Sequence, residues 1–228
     1  MGPEDRFVLR AELHGHSADV RALASDTING FFSASRDGTA KHWQAESDSG
    51  AGFMVTSEFS GHAGFVNSVA YLPASAVFPT GAVATGGQDN VIRVFASSGG
   101  ASADPQLTLI GHTGNVCALS HGIDASGRSV LVSGSWDNTA RVWDASSGEC
   151  VGVLSGHTAA VWATLVLENG CIVTCSADKQ VRIWRAGSVV AALDGHTAPV
   201  RGACLVPGIG FATCSNDWYA VNFSFWLF

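Results

Sequence analysis

A histidine, a hydroxyl-bearing residue and an aspartate recur as a set five times along this chain of 228 residues. In the third set they are His112, Ser133 and Asp137, which offer the base, the nucleophile and the orienting carboxylate used in acyl transfer. A hydrolytic site is therefore the first chemistry to test against the sequence. The other sets are His16, Ser33 and Asp37; His62, Thr85 and Asp89; His157, Thr174 and Asp178; and His196, Thr213 and Asp217.

The spacing inside each set favours a structural role instead. The hydroxyl residue stands four positions before the aspartate, and an aromatic residue stands six positions after the aspartate. These aromatic residues are Trp43, Phe95, Trp143, Trp184 and Phe223. A hydrogen-bonded tetrad of His, Ser or Thr, Asp and Trp satisfies polar groups whose isolation would cost about 1–3 kcal/mol each. Threonine replaces serine in three sets and no G-x-S-x-G turn precedes a serine, so we predict structural tetrads and no catalytic residue.

The sets are carried by a repeat of variable length. Successive histidines are 46, 50, 45 and 39 residues apart, and each follows a glycine and precedes a valine by four positions. Apolar and polar residues alternate in short runs such as residues 91–95 and 140–143, and Asp-Asn or Asp-Gly pairs mark tight turns between antiparallel strands. No helical periodicity competes, so we predict an all-β fold with surface loops at residues 46–52 and 96–103.

The composition narrows the function classes. The formal charge is -7, hydrophobic residues make up 46% and charged residues 14%, which excludes a disordered chain. The acidic balance argues against nucleic acid or an anionic membrane as the partner. We find no signal peptide, no lipidation motif and no apolar run of roughly 18 residues, so we expect a cytoplasmic or nuclear protein.

The cysteines and the remaining histidines do not predict a metal site or a cofactor. The six cysteines form no C-x-x-C pair, and several lie in apolar runs, so we expect them to be buried as small hydrophobic residues rather than to bind metal or form disulfides. We expect the three histidines outside the sets to be isolated residues on the surface or at strand ends. The residues concerned are Cys117, Cys150, Cys171, Cys175, Cys204 and Cys214, and His14, His42 and His121.

One Gly-His dipeptide per repeat and the dipeptide Trp143-Asp144 resemble the signature of WD-repeat β-propellers, in which each blade has four strands. The resemblance covers residues 7–218, with repeats near residues 13–43, 59–95, 109–143, 154–184 and 193–223. Residues 110–119, 131–137, 156–163, 175–187 and 215–217 are similar to the propeller of the phospholipase A-2-activating protein family.

This resemblance implies a non-enzymatic protein-binding module. Members of the family bind ubiquitin through the propeller and assist the valosin-containing AAA ATPase in ubiquitin-dependent protein degradation and ubiquitin recycling. The ATPase contact lies in a C-terminal helical domain whose residues are absent from this sequence, so we do not expect that contact here. The alternative is a generic WD-repeat scaffold or substrate adaptor with another protein partner.

The resemblance also places the binding residues on the rim, beside the repeated valine and just before the aspartate of each set. Our candidates for partner binding are Asp19, Arg21, Arg36, Phe65, Trp136, Trp162 and Arg201. The other rim positions are Asn67, Gln88, Asn115, Cys117, Ala160, Ala177, Pro199 and Asn216. The three aromatic candidates either bind a partner or pack between blades, and the sequence leaves both interpretations open.

The end of the chain departs from the family pattern. Relatives have seven blades, whereas five repeats are recognisable here. Residues 219–228 form a divergent apolar tail, which is either foreign to the repeat or a divergent final strand. In a complete ring the N-terminal strand, here residues 7–13, would complete the last blade. An open ring predicts aggregation or association.

Overall fold

The computed structural model describes residues 12–26, 29–46, 52–97 and 104–224, and within these ranges it contains five antiparallel β-sheets. The sheets follow one another along the chain, and we call them blades 1 to 5. Most of the predicted N-terminal strand at residues 7–13, most of both predicted surface loops and the last four residues of the tail lie outside the described residues.

Four blades have four strands and the fifth has three. Blade 1 contains β1 Val20–Ser25, β2 Gly30–Ser35, β3 Ala40–Ala45 and β4 Phe53–Phe59. Blade 2 contains β5 Val66–Leu72, β6 Ala82–Gly87, β7 Ile92–Ala96 and β8 Leu107–Leu109. Blade 3 contains β9 Val116–Ile123, β10 Ser129–Ser135, β11 Ala140–Asp144 and β12 Cys150–Leu154. Blade 4 contains β13 Val161–Val166, β14 Ile172–Ser176, β15 Val181–Arg185 and β16 Ser188–Leu193, and blade 5 contains β17 Val200–Val206, β18 Gly210–Ser215 and β19 Ala220–Ser224.

The first strand of each blade contacts the first strand of the next, from β1 through β5, β9 and β13 to β17. This arrangement confirms the predicted all-β propeller of five repeats. Within the described residues, no comparable contact joins β17 back to β1. The blades therefore form a series in which each packs on its neighbours in sequence.

A tight turn joins the second and third strands of each blade, including the three blades in which Asp-Asn or Asp-Gly pairs predicted it. The residue that follows the aspartate has a positive φ in every blade: Gly38, Asn90, Asn138, Lys179 and Trp218. Glycine and asparagine adopt this left-handed conformation at low cost, whereas a bulky side chain does not. Trp218, at φ 72°, is 97% exposed and gains no packing in return.

The hydrophobic core lies between the blades. The repeated valine of blades 2 to 5 (Val66, Val116, Val161 and Val200) is fully buried against the preceding blade. Gly86 shows how closely the blades approach, because a Cβ at this position would lie 2.6 Å from Cγ1 of Val116. The blades are therefore held together by apolar side chains packed between the faces of neighbouring sheets.

The two ends of the series differ from the interior. Val20, the repeated valine of blade 1, is 50% exposed. In blade 5, Ala220–Ser224 pairs with β18, and Phe223 stacks on Phe211 with the ring centroids 5.1 Å apart. Residues 220–224 therefore form a divergent final strand, which is one of the two interpretations that the sequence left open. Blade 5 has no fourth strand within the described residues.

The prediction of buried cysteines is correct for Cys171 and Cys175 and wrong for Cys150, Cys204 and Cys214, which are exposed. Cys150 begins an outermost strand. Cys204 and Cys214 lie on blade 5, and no blade that follows it covers them within the part of the chain that the structure describes. The apolar sequence around Cys204 therefore does not bury it.

His42 also differs from the prediction, because it is buried in β3 and is not a surface residue. Its Nε2 lies 3.0 Å from Oδ2 of Asp26 and its Nδ1 lies 3.1 Å from Oγ1 of Thr56, while its ring stacks on Phe32. His42 thus ties the turn after β1 to the outermost strand of the blade.

His121 is half-buried and bonds Ser129, whereas His14 is exposed. The described ranges contain no cluster of three or more metal-ligating side chains. They also contain no helix with the length and apolar character needed to cross a bilayer.

Candidate functional site

In blade 3 the tetrad forms one continuous chain of hydrogen bonds. Nε1 of Trp143 donates to Oγ of Ser133 over 2.8 Å, and Ser133 Oγ lies 2.7 Å from Nε2 of His112. His112 Nδ1 lies 2.7 Å from Oδ2 of Asp137. Because an indole only donates and a carboxylate only accepts, the hydroxyl donates to Nε2 and Nδ1–H donates to the carboxylate.

The charges in this chain follow from its surroundings. Burial would raise the pKa of Asp137, but hydrogen bonds from Thr139, Thr113 and His112 outweigh it and lower the pKa to about 2. Burial lowers the pKa of His112 below 6.5, although Asp137 opposes this. At neutral pH the tetrad therefore holds an ionised aspartate and a neutral histidine.

The same chain is complete in blades 1 and 4 and lacks the indole in blades 2 and 5. Trp43 and Trp184 each donate over 2.8 Å to the hydroxyl of their blade. Phe95 and Phe223 take the aromatic position in the other two blades, where the histidine still joins its threonine and aspartate. In blade 2, Arg93 adds a further bond to Asp89 at 2.8 Å.

The tetrad geometry does not fit a nucleophile. Ser133 is fully buried, and its oxygen already accepts the indole proton of Trp143. Ser33, Thr85, Thr174 and Thr213 are buried as well. A substrate carbonyl therefore has no access to the hydroxyl group of Ser133. The role of these buried hydroxyl groups is to fix the loop before each first strand onto the turn that follows the second strand.

That fixed loop and turn position the rim. A backbone hydrogen bond joins the residue just before the aspartate to the residue just before the valine in all five blades. The pairs are Arg36 with Asp19, Gln88 with Phe65, Trp136 with Asn115, Ala177 with Ala160, and Asn216 with Pro199, at 2.8–3.1 Å. The rim side chains are therefore presented on a rigid support.

A β-bulge at the start of each first strand aims one further side chain at the rim. The register of the first strand shifts directly after the repeated valine in every blade. The bulged residues are Arg21, Asn67, Cys117, Trp162 and Arg201. Bulges commonly redirect a side chain beside a functional site.

These side chains surround one open depression with a volume of about 410 Å³. We call it the rim depression, and it is lined by Arg21, Arg36, Phe65, Asn67, Gln88, Asn115, Cys117, Trp136, Trp162 and Arg201. All five blades contribute to it. Of the predicted rim positions, Asp19, Ala160, Ala177, Pro199 and Asn216 do not line it.

Ring contacts hold two of the arginines in place. The guanidinium carbon of Arg201 lies 3.8 Å from the ring centroid of Trp162, and Nε of Arg201 donates to Asn216 over 3.0 Å. Arg36 lies 5.5 Å from the ring of Phe65 and pairs with Asp19 at 3.0 Å. Such cation–π contacts lower the entropy that these side chains would lose on binding.

The three aromatic candidates differ in accessibility. Trp136 is 59% exposed and Phe65 is 41% exposed, whereas Trp162 is half-buried beneath Arg201. Cys117 does not offer a reactive thiol, because burial raises its pKa to about 12 and its Sγ lies 3.1 Å from the carbonyl oxygen of Val161. The rim depression therefore provides aromatic and guanidinium surface for contact with a partner.

Comparison with known proteins agrees with this geometry. Residues 7–44, 53–95, 103–144 and 148–185 match the family described as WD domain, G-beta repeat. The WD40 β-propeller domain of Doa1 is similar in structure, with a TM-score of 0.76 and 36% identity, over 92% of this chain and 66% of that chain.

Several curated relatives are similar in sequence. Phospholipase A-2-activating protein of Xenopus laevis is 41% identical over 73% of this chain and 20% of its own length. Ubiquitin homeostasis protein lub1 of Schizosaccharomyces pombe is 39% identical over 63% of this chain and 18% of its own. A ribosome biogenesis protein WDR12 homolog of Drosophila virilis is 34% identical over 75% of this chain and 43% of its own.

The chain thus spans about a fifth of the length of the phospholipase A-2-activating protein that it matches. The resemblance predicted from the sequence is confirmed by these relatives. Four matched repeats over most of the chain, the five tetrads and the propeller architecture show that this chain belongs to the WD-repeat family of β-propeller proteins.

Proposed function

We propose that this chain is a non-enzymatic protein-binding module that binds ubiquitin or ubiquitinated proteins through the rim depression. The observation that carries the proposal is the convergence of aromatic and arginine side chains from five blades on one open surface. The name of one relative, ubiquitin homeostasis protein lub1, supports a role in ubiquitin homeostasis. The resemblance to the phospholipase A-2-activating protein family implies a part in ubiquitin-dependent protein degradation and recycling.

The chemistry of the rim depression suits a folded protein partner. Aromatic and arginine residues supply most of the energy at protein interfaces, because they bury a large area and lose little conformational entropy. Trp136 offers an apolar surface, and Arg36 and Arg201 are already held against Phe65 and Trp162. A partner with a small apolar patch bordered by polar groups would be complementary to this arrangement.

We expect no contact of this propeller with the AAA ATPase, nucleic acid or a membrane. We place the protein in the cytoplasm or nucleus, where ubiquitin is present.

A second candidate is a WD-repeat scaffold or substrate adaptor with a different protein partner. The similarity to WDR12 homologs favours it, because these are named for ribosome biogenesis and not for ubiquitin. The same rim depression would then bind another protein.

Titration of fluorescently labelled ubiquitin with the purified chain tests the first candidate. We expect saturable binding by the wild type and at least about tenfold weaker binding by Trp136→Ala, a loss of about 1.4 kcal/mol. Ile123→Ala is the matched control, because Ile123 is also exposed and lies at the opposite end of β9 from Cys117.

Two results would contradict the assignment in different ways. A folded wild-type chain that does not bind ubiquitin rejects the first candidate and leaves the second. Equal binding by the wild type and Trp136→Ala, with loss in Ile123→Ala, would move the site away from the rim depression.

A further inference from the structure

A groove of about 340 Å³ opens between blades 3 and 4, at the end of the blades opposite the rim depression. Its floor consists of Val142, Leu154 and Ile172, which belong to the core that joins these two blades, and we call it the inter-blade groove. The turns after β9, β13 and β15 form its walls. Blade 3 also packs on blade 2 and blade 4 on blade 5, so the groove is open for a reason other than the end of the series.

The chain itself fills the corresponding space between blades 2 and 3. Val94 and Val142 occupy the same position, just before the aromatic residue of their tetrads. Leu107 pairs with Val94 in blade 2, whereas Gly152 pairs with Val142 in blade 3. Leu107 packs on the core between blades 2 and 3, and Phe78, from the connection between β5 and β6, is buried in the same core. Glycine at position 152 and a shorter connection after β9 therefore leave open a space that two large side chains fill in the neighbouring interface.

The turns between the third and fourth strands show the same difference in space. A Cβ at Gly148, in the turn of blade 3, would lie 2.7 Å from Cδ2 of Leu109 and 3.5 Å from Cδ1 of Leu107. Gly187 lies in the corresponding turn of blade 4, which borders the inter-blade groove, and a Cβ there would meet no described atom within 4 Å. The inter-blade groove therefore has room for apolar side chains that the described part of the chain does not supply.

The charged side chains of the inter-blade groove lie at its edge, in the turn between β9 and β10. Arg128 donates from Nε and Nη2 to Oδ2 of Asp124, over 3.1 and 2.9 Å. The Arg128 side chain is 50% exposed, whereas that of Asp124 is 13% exposed and also accepts two backbone amides. Asp144, which also feels the charge of Arg128, does not line the groove and is bonded to two backbone amides. The accessible charge at this edge is therefore the guanidinium.

We propose that the inter-blade groove binds a short acidic segment of a partner protein through two large apolar side chains. Leu107 and Phe78 show which kind of side chain such a space accepts, because they fill its counterpart between blades 2 and 3. The bound side chains would extend the existing core between blades 3 and 4. A carboxylate beside them would pair with Arg128.

The inter-blade groove shares no lining residue with the rim depression. Its volume lies within the range of sites that hold small ligands or a few side chains, and its contacts are few. Binding should therefore be weak, with a dissociation constant on the order of 100 µM for one segment. It is independent of the binding of ubiquitin at the rim depression.

Selection of random peptides displayed in many copies on phage against the full chain tests the proposal, since multivalent display retains weak binders. We expect the enriched peptides to combine two large apolar residues with aspartate or glutamate. The same peptides are then synthesised with a fluorescent label and titrated with the chain, and binding is followed by fluorescence anisotropy.

Gly152→Leu should weaken binding of these peptides at least about tenfold, because its side chain would fill the groove as Leu107 fills the space beside blade 2. A Cβ at Gly152 would lie 3.8 Å from Val142, which is an ordinary contact, so the variant should fold. Val153→Leu is the matched control: Val153 is the next residue of β12, points to the other face and is 46% exposed, and this variant should bind as the wild type does.

Arg128→Gln should weaken binding about threefold, since an exposed ion pair contributes little. This variant keeps every apolar contact of the groove, so it tests the same site if thermal unfolding shows that Gly152→Leu is destabilised. Equal binding of the selected peptides by the wild type and by both groove variants would overturn the proposal. A selection that enriches no peptide, or that enriches basic instead of acidic peptides, would overturn it as well.

Discussion

Val116 and Val20 occupy the same position of the same repeat, yet their surroundings are opposite. Val116 is fully buried against blade 2, where the absence of a side chain at Gly86 admits it, whereas Val20 is 50% exposed. The hydrogen-bonded tetrads do not show this difference, because blades 1 and 3 carry the same chain of bonds at the same distances. The tetrad thus belongs to the single blade, while packing energy belongs to a pair of blades.

Acidification should lower the stability of the fold more than any substitution below, and it should weaken the tetrads of interior and terminal blades alike. The pKa values of Asp37, Asp89 and Asp137 are lowered from 3.8 to about 2, so their stabilisation is present above pH 3.8 and is lost as the pH falls toward 2. The melting temperature, followed by circular dichroism, should therefore fall steeply below pH 4.

The buried histidines add a loss of stability that begins at a higher pH than the loss caused by the aspartates. The pKa values of His62, His112 and His157 are lowered from 6.5 by burial, so the unfolded chain binds more protons below that pH. Stability from this source is complete above pH 6.5 and declines as the pH falls. A melting temperature that is constant from pH 7 to pH 4 would contradict this assignment of neutral histidines.

Among the single substitutions, removal of one carboxylate should lower the free energy of unfolding the most. Asp137→Ala leaves the Thr113 and Thr139 amides and Nδ1 of His112 without an acceptor, and we expect a loss of about 3 kcal/mol in the free energy of unfolding. Urea denaturation measures it. Asp137→Asn keeps one acceptor oxygen and should cost less, and an equal cost for both variants would show that the charge itself matters most.

The valine pair tests the contrast in packing directly. Val116→Ala should cost about 2 kcal/mol because it opens a cavity between blades 2 and 3. Val20→Ala should change the free energy of unfolding by less than about 0.5 kcal/mol in dilute solution, since the side chain is half exposed. Equal losses in the two variants would mean that Val20 is covered in solution.

The indole bond should contribute equally at the end and in the middle of the series. Trp143→Phe and Trp43→Phe each remove a 2.8 Å bond to a buried serine, and each should cost about 1 kcal/mol. Phenylalanine already holds this position in blade 2 as Phe95. A much smaller cost for Trp43 than for Trp143 would show that the tetrad also depends on neighbouring blades.

Thiol labelling compares an interior blade with a terminal one at the C-terminal end of the series, in blades 4 and 5. We expect it to leave stability unchanged. Cys175 and Cys214 occupy the same position in blades 4 and 5, but burial raises the pKa of Cys175 to about 12 whereas Cys214 is exposed. Iodoacetamide followed by mass spectrometry should modify Cys214, Cys204 and Cys150 in the folded chain. Modification of Cys175 at a similar rate would indicate that blade 5 detaches.

Much of this molecule could be predicted from the sequence because the repeat imposes fixed offsets. The tetrads and the residues of the rim depression lie at constant distances from the histidine and aspartate, so the resemblance to WD-repeat propellers is enough to place Trp136 and Arg201 on the rim. The β-bulge that turns Arg21 and Trp162 toward the rim leaves no mark in the pattern of apolar residues, and only the strand register reveals it.

Other features depend on neighbours that the local sequence does not describe. Cys204 lies in an apolar run and is exposed because none of the described residues packs on the outward side of blade 5 as another blade would. His42 is polar and is buried because Asp26 and Thr56, distant in sequence, supply its partners. Burial at these positions is set by contact between elements, which a pattern of residue types in one strand cannot report.

Within the described residues, the main contacts of each first strand with other first strands are to those of the blades before and after it. This arrangement has a consequence for cooperativity. Where units interact only with adjacent units, stability is approximately a sum of unit and interface contributions, and the terminal units open first. Among the described residues, blades 1 and 5 each have one such interface and the inner blades have two. Amide hydrogen exchange should therefore slow from both ends toward β9 and β10, with blade 3 as the last region to exchange.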